Sequence, residues 1–232
     1  MSIVKSVRGQ LAPIHPEGYV FVFGFAVATL ILWWIWAPLG WLGFIATLWC
    51  AYFFRDPQRV TPVRADLVVS PADGVIRFAD FAAPPPELGV GMAPLQRVSI
   101  FMSIFDCHVN RAPVEGRVAQ IVYHPGLFLS ADLDKASDDN ERNSIIIDTP
   151  SGRFGVVQIA GLIARRIVCF THEGALLGAG ERIGLIRFGS RVDVYLPPGA
   201  RIVVGLDSRA VAGETVIAQV AAESEPPPFH RS

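Results

Sequence analysis

The chain is poor in cysteine and carries almost no net charge, and each shortage excludes a class of protein. Its 232 residues include three cysteines and a net charge of −1. Three scattered cysteines (Cys50, Cys107 and Cys169) argue against a disulfide framework and against a zinc site. A near-neutral chain lacks the electrostatic signature of nucleic-acid binding. Because no two histidines have the i, i+4 spacing of a helical metal site, we predict no metal.

Charged residues are also missing from one long apolar stretch, residues 19–54, which Pro38-Leu39-Gly40 interrupts. A helix that crosses a bilayer needs about 20 apolar residues. Tyr19–Ala37 reaches that length and Trp41–Phe54 does not. Two arrangements stay open: a helical hairpin that turns at residues 38–40, or one span followed by an interfacial helix. The stretch is too long for a cleaved signal peptide, and no A-x-A site follows it.

Basic residues flank this stretch on both sides, with Lys5 and Arg8 before it and Arg55 and Arg59 after it. Positive charge on both flanks favours a cytoplasmic position for both ends, and therefore the hairpin. We expect a protein of the cell membrane whose remaining domain lies on the cytoplasmic side.

The sequence after the membrane segment indicates a compact, mainly β domain, a barrel or a sandwich, because short apolar runs alternate with Gly, Pro and Asp. We divide the chain into an N-terminal tail (1–18), the membrane segment (19–54), a β-rich domain (55–221) and a disordered tail (222–232). The predicted strands are Leu67–Ser70, Val75–Phe78, Arg97–Ile104, Arg117–Tyr123, Ser144–Asp148, Phe154–Ile159, Arg166–Phe170, Leu185–Phe188, Val192–Leu196, Arg201–Val204 and Thr215–Val220.

The tripeptide Phe188-Gly189-Ser190 lies between two of these strands. A serine hydroxyl at a strained Gly-Ser bond can attack the glycine carbonyl and convert the peptide to an ester. Elimination would then cut the chain and leave a ketone, a pyruvoyl group, at the new N-terminus. The alternative is an ordinary Gly-Ser turn.

Four further residues are candidates for acid–base chemistry. Asp73 follows a strand in an Asp-Gly pair, which fits either a turn or an acid that orients a histidine. His108 ends an apolar strand among Asp, Asn and Arg, and it fits either a catalyst or a strand-end polar residue. His124 and His172 are second-line candidates, and each also fits a turn.

These motifs, taken in order, resemble the phosphatidylserine decarboxylases of the short bacterial and archaeal type. The resemblance covers nearly the whole chain outside the two tails. The matching segments are FFRDPQR (53–59), SPADG (70–74), FDCHVNRAP (105–113), YHPG (123–126), DKASDDNERN (134–143) and FGS (188–190). That family is membrane-associated, self-cleaving and pyruvoyl-dependent, and it converts phosphatidylserine to phosphatidylethanolamine.

The resemblance implies cleavage between Gly189 and Ser190, so that Ser190 becomes a covalent pyruvoyl cofactor. Residues 1–189 and 190–232 would remain together as two subunits of one precursor. Asp73 matches the family's acid, and His108 matches a histidine of its central motif.

Three positions depart from the family pattern, and the first is Phe188, where the family often has leucine. The family often has threonine where this chain has Arg191, and its longer members have a second histidine where this chain has Arg111. The base for self-cleavage therefore stays open among His108, His124 and His172. The sequence also leaves homo-oligomerisation open.

Two non-enzymatic functions are the alternatives. A membrane-tethered β domain acting as an adaptor would share the anchor and the β-rich body. A lipoyl-type carrier is suggested by Asp134-Lys135-Ala136, but no strands flank that lysine closely. Neither function requires cleavage at Gly-Ser.

Overall fold

The computed structural model describes residues 12–91, 93–126, 140–161, 166–187 and 190–220. The chain divides into two compact units, with the division between Gln58 and Arg59. The first unit is helical, and the second is built from strands. Both predicted tails, and the segment that contains Lys135, lie largely or wholly outside the described residues.

The first unit consists of two apolar helices, α1 (Pro16–Ile35) and α2 (Ala37–Phe53). They pack side by side, and the hydroxyls of Thr29 and Thr47 lie 2.9 Å apart. Gly43 permits this approach, because a Cβ there would lie 2.9 Å from the Thr29 hydroxyl. The described part of the chain thus contains two apolar helices packed side by side, of which α1 is long and apolar enough to cross a membrane and α2 is shorter.

The position of the turn in this hairpin differs from the prediction. Trp36 alone, in an extended conformation, separates the two helices. Pro38 instead lies in the first turn of α2. Proline is tolerated there, because the first N–H groups of a helix have no partner within the helix.

The helical unit exposes large apolar side chains. Helix α1 has a mean hydropathy of 2.0 and is long and apolar enough to cross a bilayer. Large apolar side chains on both helices are exposed, including Trp34, which is 90% exposed, and Ile45, which is 62% exposed. A soluble protein rarely exposes such a continuous apolar surface.

The second unit consists of three antiparallel sheets, and its mainly β class is confirmed. A short 3₁₀ helix, Pro86–Leu88, lies between β2 and β3. The strands are β1 (Leu67–Val69), β2 (Gly74–Ala82), β3 (Leu95–Met102), β4 (Val109–Arg111), β5 (Gly116–His124), β6 (Arg142–Thr149), β7 (Gly152–Ala160), β8 (Arg166–Cys169), β9 (Leu176–Leu177), β10 (Arg182–Arg187), β11 (Ser190–Tyr195), β12 (Ala200–Ile202), β13 (Arg209–Ala210) and β14 (Val216–Val220).

The largest sheet has eight strands in the order β13-β2-β3-β11-β7-β6-β5-β9. Strand β11 lies near its centre, between β3 and β7, and all six of its residues are buried. The two smaller sheets have the orders β4-β10-β8 and β1-β14-β12. One face of the large sheet contributes to the main apolar core, in which Ile100, Val156 and Val192 are fully buried.

Three strands were not predicted: β4, β9 and β13. Each is only two or three residues long. Such segments are too short to establish an alternating pattern, so their pairing depends on partners that are distant in the sequence. Strand β9 lies inside the glycine-punctuated segment Gly174–Gly180.

Candidate functional site

Ser190 is the first residue of β11 and lies in the middle of the large sheet. It pairs with Met102 of β3 on one side and with Ala160 of β7 on the other. The serine is 3% exposed, and its hydroxyl donates to the Met102 Sδ atom at 3.9 Å. Phe188 and Gly189, the other two residues of the tripeptide, lie outside the described residues.

Asp73 belongs to a tight turn that leads into β2. The next residue must be glycine: Gly74 has a φ of 156°, and a Cβ there would lie 2.1 Å from the carbonyl oxygen of Phe101. The Asp73 carboxylate accepts a hydrogen bond from Arg59 at 2.6 Å and one from the Ala212 N–H at 2.8 Å. Both of its oxygens are therefore engaged by groups other than His108.

His108 lies just before β4 and is completely buried. Its Nδ1 atom is 3.0 Å from the carbonyl oxygen of Asp106. Its own carbonyl accepts a hydrogen bond from the N–H of Ile186 in β10 at 3.2 Å. Since β10 ends at Arg187, His108 lies beside the strand that leads directly to the predicted cleavage site.

Met102 links Ser190 to the segment that contains His108. Asn110, two residues after His108, donates to the same Met102 sulfur that accepts from Ser190. Residues two apart in an extended segment present their side chains on the same face. A histidine within hydrogen-bond reach of a serine hydroxyl can serve as the base for attack by that hydroxyl.

Asp106 is a buried acid at this site that the sequence names only as one of the polar neighbours of His108. It is 2% exposed and accepts a hydrogen bond from the Ser103 N–H at 2.8 Å. Arg209 of β13 forms an ion pair with its other oxygen. Its position in the FDCHVNRAP motif, two residues before His108, was the available signal.

The second-histidine position of the family is occupied by Arg111, whose contacts hold the loops around the site together. Its N–H donates to the carbonyl of Pro71, so the SPADG segment lies against the FDCHVNRAP segment. Its guanidinium donates to the carbonyl of Gly180 at 2.8 Å.

The structure does not bring His124 to the same place. His124 ends β5, and its Nε2 atom is 3.4 Å from Glu87 Oε1. Arg191 pairs with Ile159 of β7, Ile159 pairs with Arg142 of β6, and Arg142 pairs with His124. His124 therefore lies three strand spacings from Arg191, or about 14 Å. His172 lies in the exposed turn between β8 and β9.

Comparison with known proteins assigns the chain to a family. The family model for phosphatidylserine decarboxylase matches residues 46–218. A protein of Beijerinckia indica subsp. indica named phosphatidylserine decarboxylase proenzyme is 64% identical over 229 residues, which cover 99% of each chain. The chain belongs to the phosphatidylserine decarboxylase family, and it is an enzyme. The resemblance inferred from the motifs is confirmed.

Proposed function

We propose that this protein decarboxylates phosphatidylserine to phosphatidylethanolamine, using a pyruvoyl group that it makes from Ser190 by cutting its own chain at Gly189–Ser190. The observation that carries the proposal is the position of Ser190. It is a buried serine at the first residue of a central strand, and the Met102 sulfur that its hydroxyl contacts also contacts Asn110, two residues after the buried His108. The relative's name, a decarboxylase proenzyme, supports both parts of the proposal, because a proenzyme is a precursor that must be processed.

In self-cleavage, His108 takes the proton of the Ser190 hydroxyl, and the oxygen attacks the carbonyl carbon of Gly189. The C–N bond breaks, and the acyl group passes to oxygen as an ester. Loss of the Cα proton of Ser190 then expels the Gly189 carboxylate, and hydrolysis with release of ammonia leaves the ketone. Residues 1–189 and 190–232 become the two subunits of the enzyme.

The surroundings of Ser190 fit a pyruvoyl group at that position. The residue is buried, its neighbours in the pairing row are Met102 and Ala160, and the region excludes bulk water. A pyruvoyl group supplies a carbonyl that binds the substrate amine and accepts the electrons released as CO₂ leaves. We assign to His108 the return of a proton to the substrate α-carbon. We assign to Asp73 and Arg59 the positioning of the turn beside β2.

We further propose that the helical hairpin holds the enzyme at the bilayer that contains its substrate. Helix α1 is long and apolar enough to span. Arg55 and Arg59 follow the hairpin, and Lys5 and Arg8 precede it in the part of the chain outside the described residues. This charge distribution supports a catalytic domain on the cytoplasmic side.

The test is a comparison of the wild-type protein with Ser190→Ala. We expect two polypeptides from the wild type, with a mass deficit at the new N-terminus that matches a ketone in place of serine. We expect one full-length chain without decarboxylase activity from the variant, because no hydroxyl can attack. An intact, active wild-type chain would refute the proposal and favour a membrane-tethered domain without this chemistry.

A further inference from the structure

Three buried amide side chains form a continuous chain of hydrogen bonds that ends beside Ser190. Asn143 Nδ2 donates to Gln158 Oε1 at 2.9 Å, and Gln158 Nε2 donates to Asn110 Oδ1 at 2.8 Å. Asn110 Nδ2 then donates to Met102 Sδ at 3.6 Å, the sulfur that also accepts from Ser190. None of the three amides is more than 2% exposed.

The direction of these hydrogen bonds is determined at Met102. A thioether sulfur carries no hydrogen and can only accept. The atom of Asn110 that faces the sulfur must therefore be its NH₂ group, which turns its oxygen towards Gln158. Gln158 must then present its NH₂ group to Asn110 and its oxygen to Asn143. All three amides thus donate in one direction, towards Ser190.

The three hydrogen-bonded amides occupy positions in the sheet that apolar side chains would otherwise fill. Gln158 interrupts the apolar strand β7, and it pairs with Asn143 of β6 and Val192 of β11. Gly184 of β10 faces it, and a Cβ at that position would lie 2.7 Å from Gln158 Nε2. Buried amides destabilise a protein unless they are hydrogen-bonded. Removing any one of the three amides therefore leaves a neighbouring amide without its partner.

We propose that Asn143, Gln158 and Asn110 are positioning residues for self-cleavage, an inference that rests on the proposed cleavage at Ser190. The hydrogen bonds between the three amides direct the Asn110 N–H at the Met102 sulfur. They thereby fix the position of the atom that the Ser190 hydroxyl contacts. A thioether is a weak acceptor. The Ser190 hydroxyl is therefore kept in one position and away from water. Its weak hydrogen bond to the sulfur is easily exchanged for a hydrogen bond to a base.

The first measurement compares rates of self-cleavage. The full-length chain is made by cell-free synthesis with a radioactive label, and the two fragments are followed by gel electrophoresis. We expect Gln158→Leu to slow cleavage by about tenfold or more, because it leaves the Asn110 oxygen buried without a donor. Gln219→Leu, at a half-buried glutamine of β14 in a different sheet, is the matched control and should cleave at the wild-type rate.

The second measurement separates positioning from a merely structural role. In Gln158→Glu, the ionised carboxylate cannot donate to Asn110, whereas the protonated acid can. Burial raises the pKa of a carboxyl group. We expect the cleavage rate of this variant, divided by the wild-type rate at the same pH, to rise at least fivefold between pH 8 and pH 5.5. The same ratio for Gln158→Leu should stay flat.

The outcomes discriminate between the claims. A wild-type chain that is not cut at Gly189–Ser190 refutes the proposed function itself. Two results with a wild type that does cleave would overturn only the positioning role of the three amides. One is an unchanged cleavage rate in Gln158→Leu. The other is a cleavage-rate ratio of Gln158→Glu to wild type that does not vary with pH. If Gln158→Leu fails a limited-proteolysis test of folding, Asn143→Ala takes its place. It should slow cleavage at least threefold, and an unchanged rate would overturn the inference.

Discussion

Arg191, the second residue after the predicted cleavage site, forms an ion pair whose disruption should cost much of the protein's stability. Its guanidinium donates to Asp193 Oδ2 at 2.8 Å, and the two side chains are 0% and 1% exposed. The guanidinium also lies 5.6 Å from the ring centre of Phe101 and 5.8 Å from that of Phe78. Replacing Arg191 with methionine leaves a buried carboxylate uncompensated, and we expect a loss of about 3–5 kcal/mol.

Tyr195 and Arg97 lie on the same face of the sheet as this carboxylate. Burial, followed by the charge of Asp193, raises the pKa of Tyr195 to about 12, so its phenol stays neutral. The next buried cation, Arg97, is bound by Asp80 through two hydrogen bonds of 3.0 and 3.1 Å. The charges on this face are therefore balanced in the wild type, and Arg191→Met leaves one excess negative charge.

The assay is thermal unfolding of the detergent-solubilised chain, followed by circular dichroism in a Ser190→Ala background that keeps the chain whole. A loss of 3–5 kcal/mol in a domain of this size lowers Tm by about 6–20 °C. Arg117→Met, at an exposed arginine of β5, is the control and should change stability by less than about 0.5 kcal/mol.

A double variant separates the loss of the pair from the loss of volume. Arg191→Met with Asp193→Leu removes both charges, and buried pairs replaced by apolar side chains of similar volume are often close to neutral. We expect it to regain most of the lost Tm. A shift below 2 °C for Arg191→Met, or a double variant as unstable as the single one, would refute the reasoning.

Three further predictions concern the site and the sheet. His108→Ala should abolish decarboxylation, measured with radioactive phosphatidylserine; an uncut chain would also make His108 the base for self-cleavage, whereas normal turnover would show that it is only a polar residue at a strand end. Gly74→Ala should lower the yield of folded protein, because its Cβ would collide with a backbone oxygen; a wild-type Tm would contradict this expectation. Burial raises the pKa of Glu87, but the hydrogen bond from Ser144 and nearby positive charges outweigh that effect, so the pKa lies below its ordinary value. A lowered carboxyl pKa stabilises the fold above the ordinary value, and this stability is lost as pH falls through the folded-state pKa. Ser144→Ala should therefore make acid unfolding begin at a higher pH and cost about 1 kcal/mol at pH 7; superimposable unfolding curves from pH 3 to 7 would count against it.

The elements that could be predicted from the sequence are those whose signal is local. The uncharged stretch predicted the hairpin, and alternating apolar runs predicted the long strands of the large sheet. The turn at Trp36 was placed two residues late, because proline was interpreted as a break and not as a first-turn residue. The short strands β4 and β13 give no local signal, although β4 carries Asn110 and β13 carries Arg209.

The sequence proposes residues for the site but not the contacts between them. The motifs identified Ser190, His108 and Asp73, but the partners that the structure gives to Asp73 are Arg59 and Ala212. A pairing between residues distant in sequence depends on the register of the strands, which one sequence does not reveal. Gln158 was the missed signal, because a glutamine within an apolar strand requires a buried partner.

The alternation of side chains along β11 gives the start of this strand a different anchor on each face. Ser190 faces the core and meets Met102, where the amide chain ends. Arg191 faces the opposite side and is held by Asp193 and by the ring of Phe101. A strand fixed on both faces holds the Ser190 hydroxyl in one position. We therefore expect loss of either anchor to slow self-cleavage more than it slows turnover by the mature enzyme. The reason is that the bond to be cut immediately precedes Ser190.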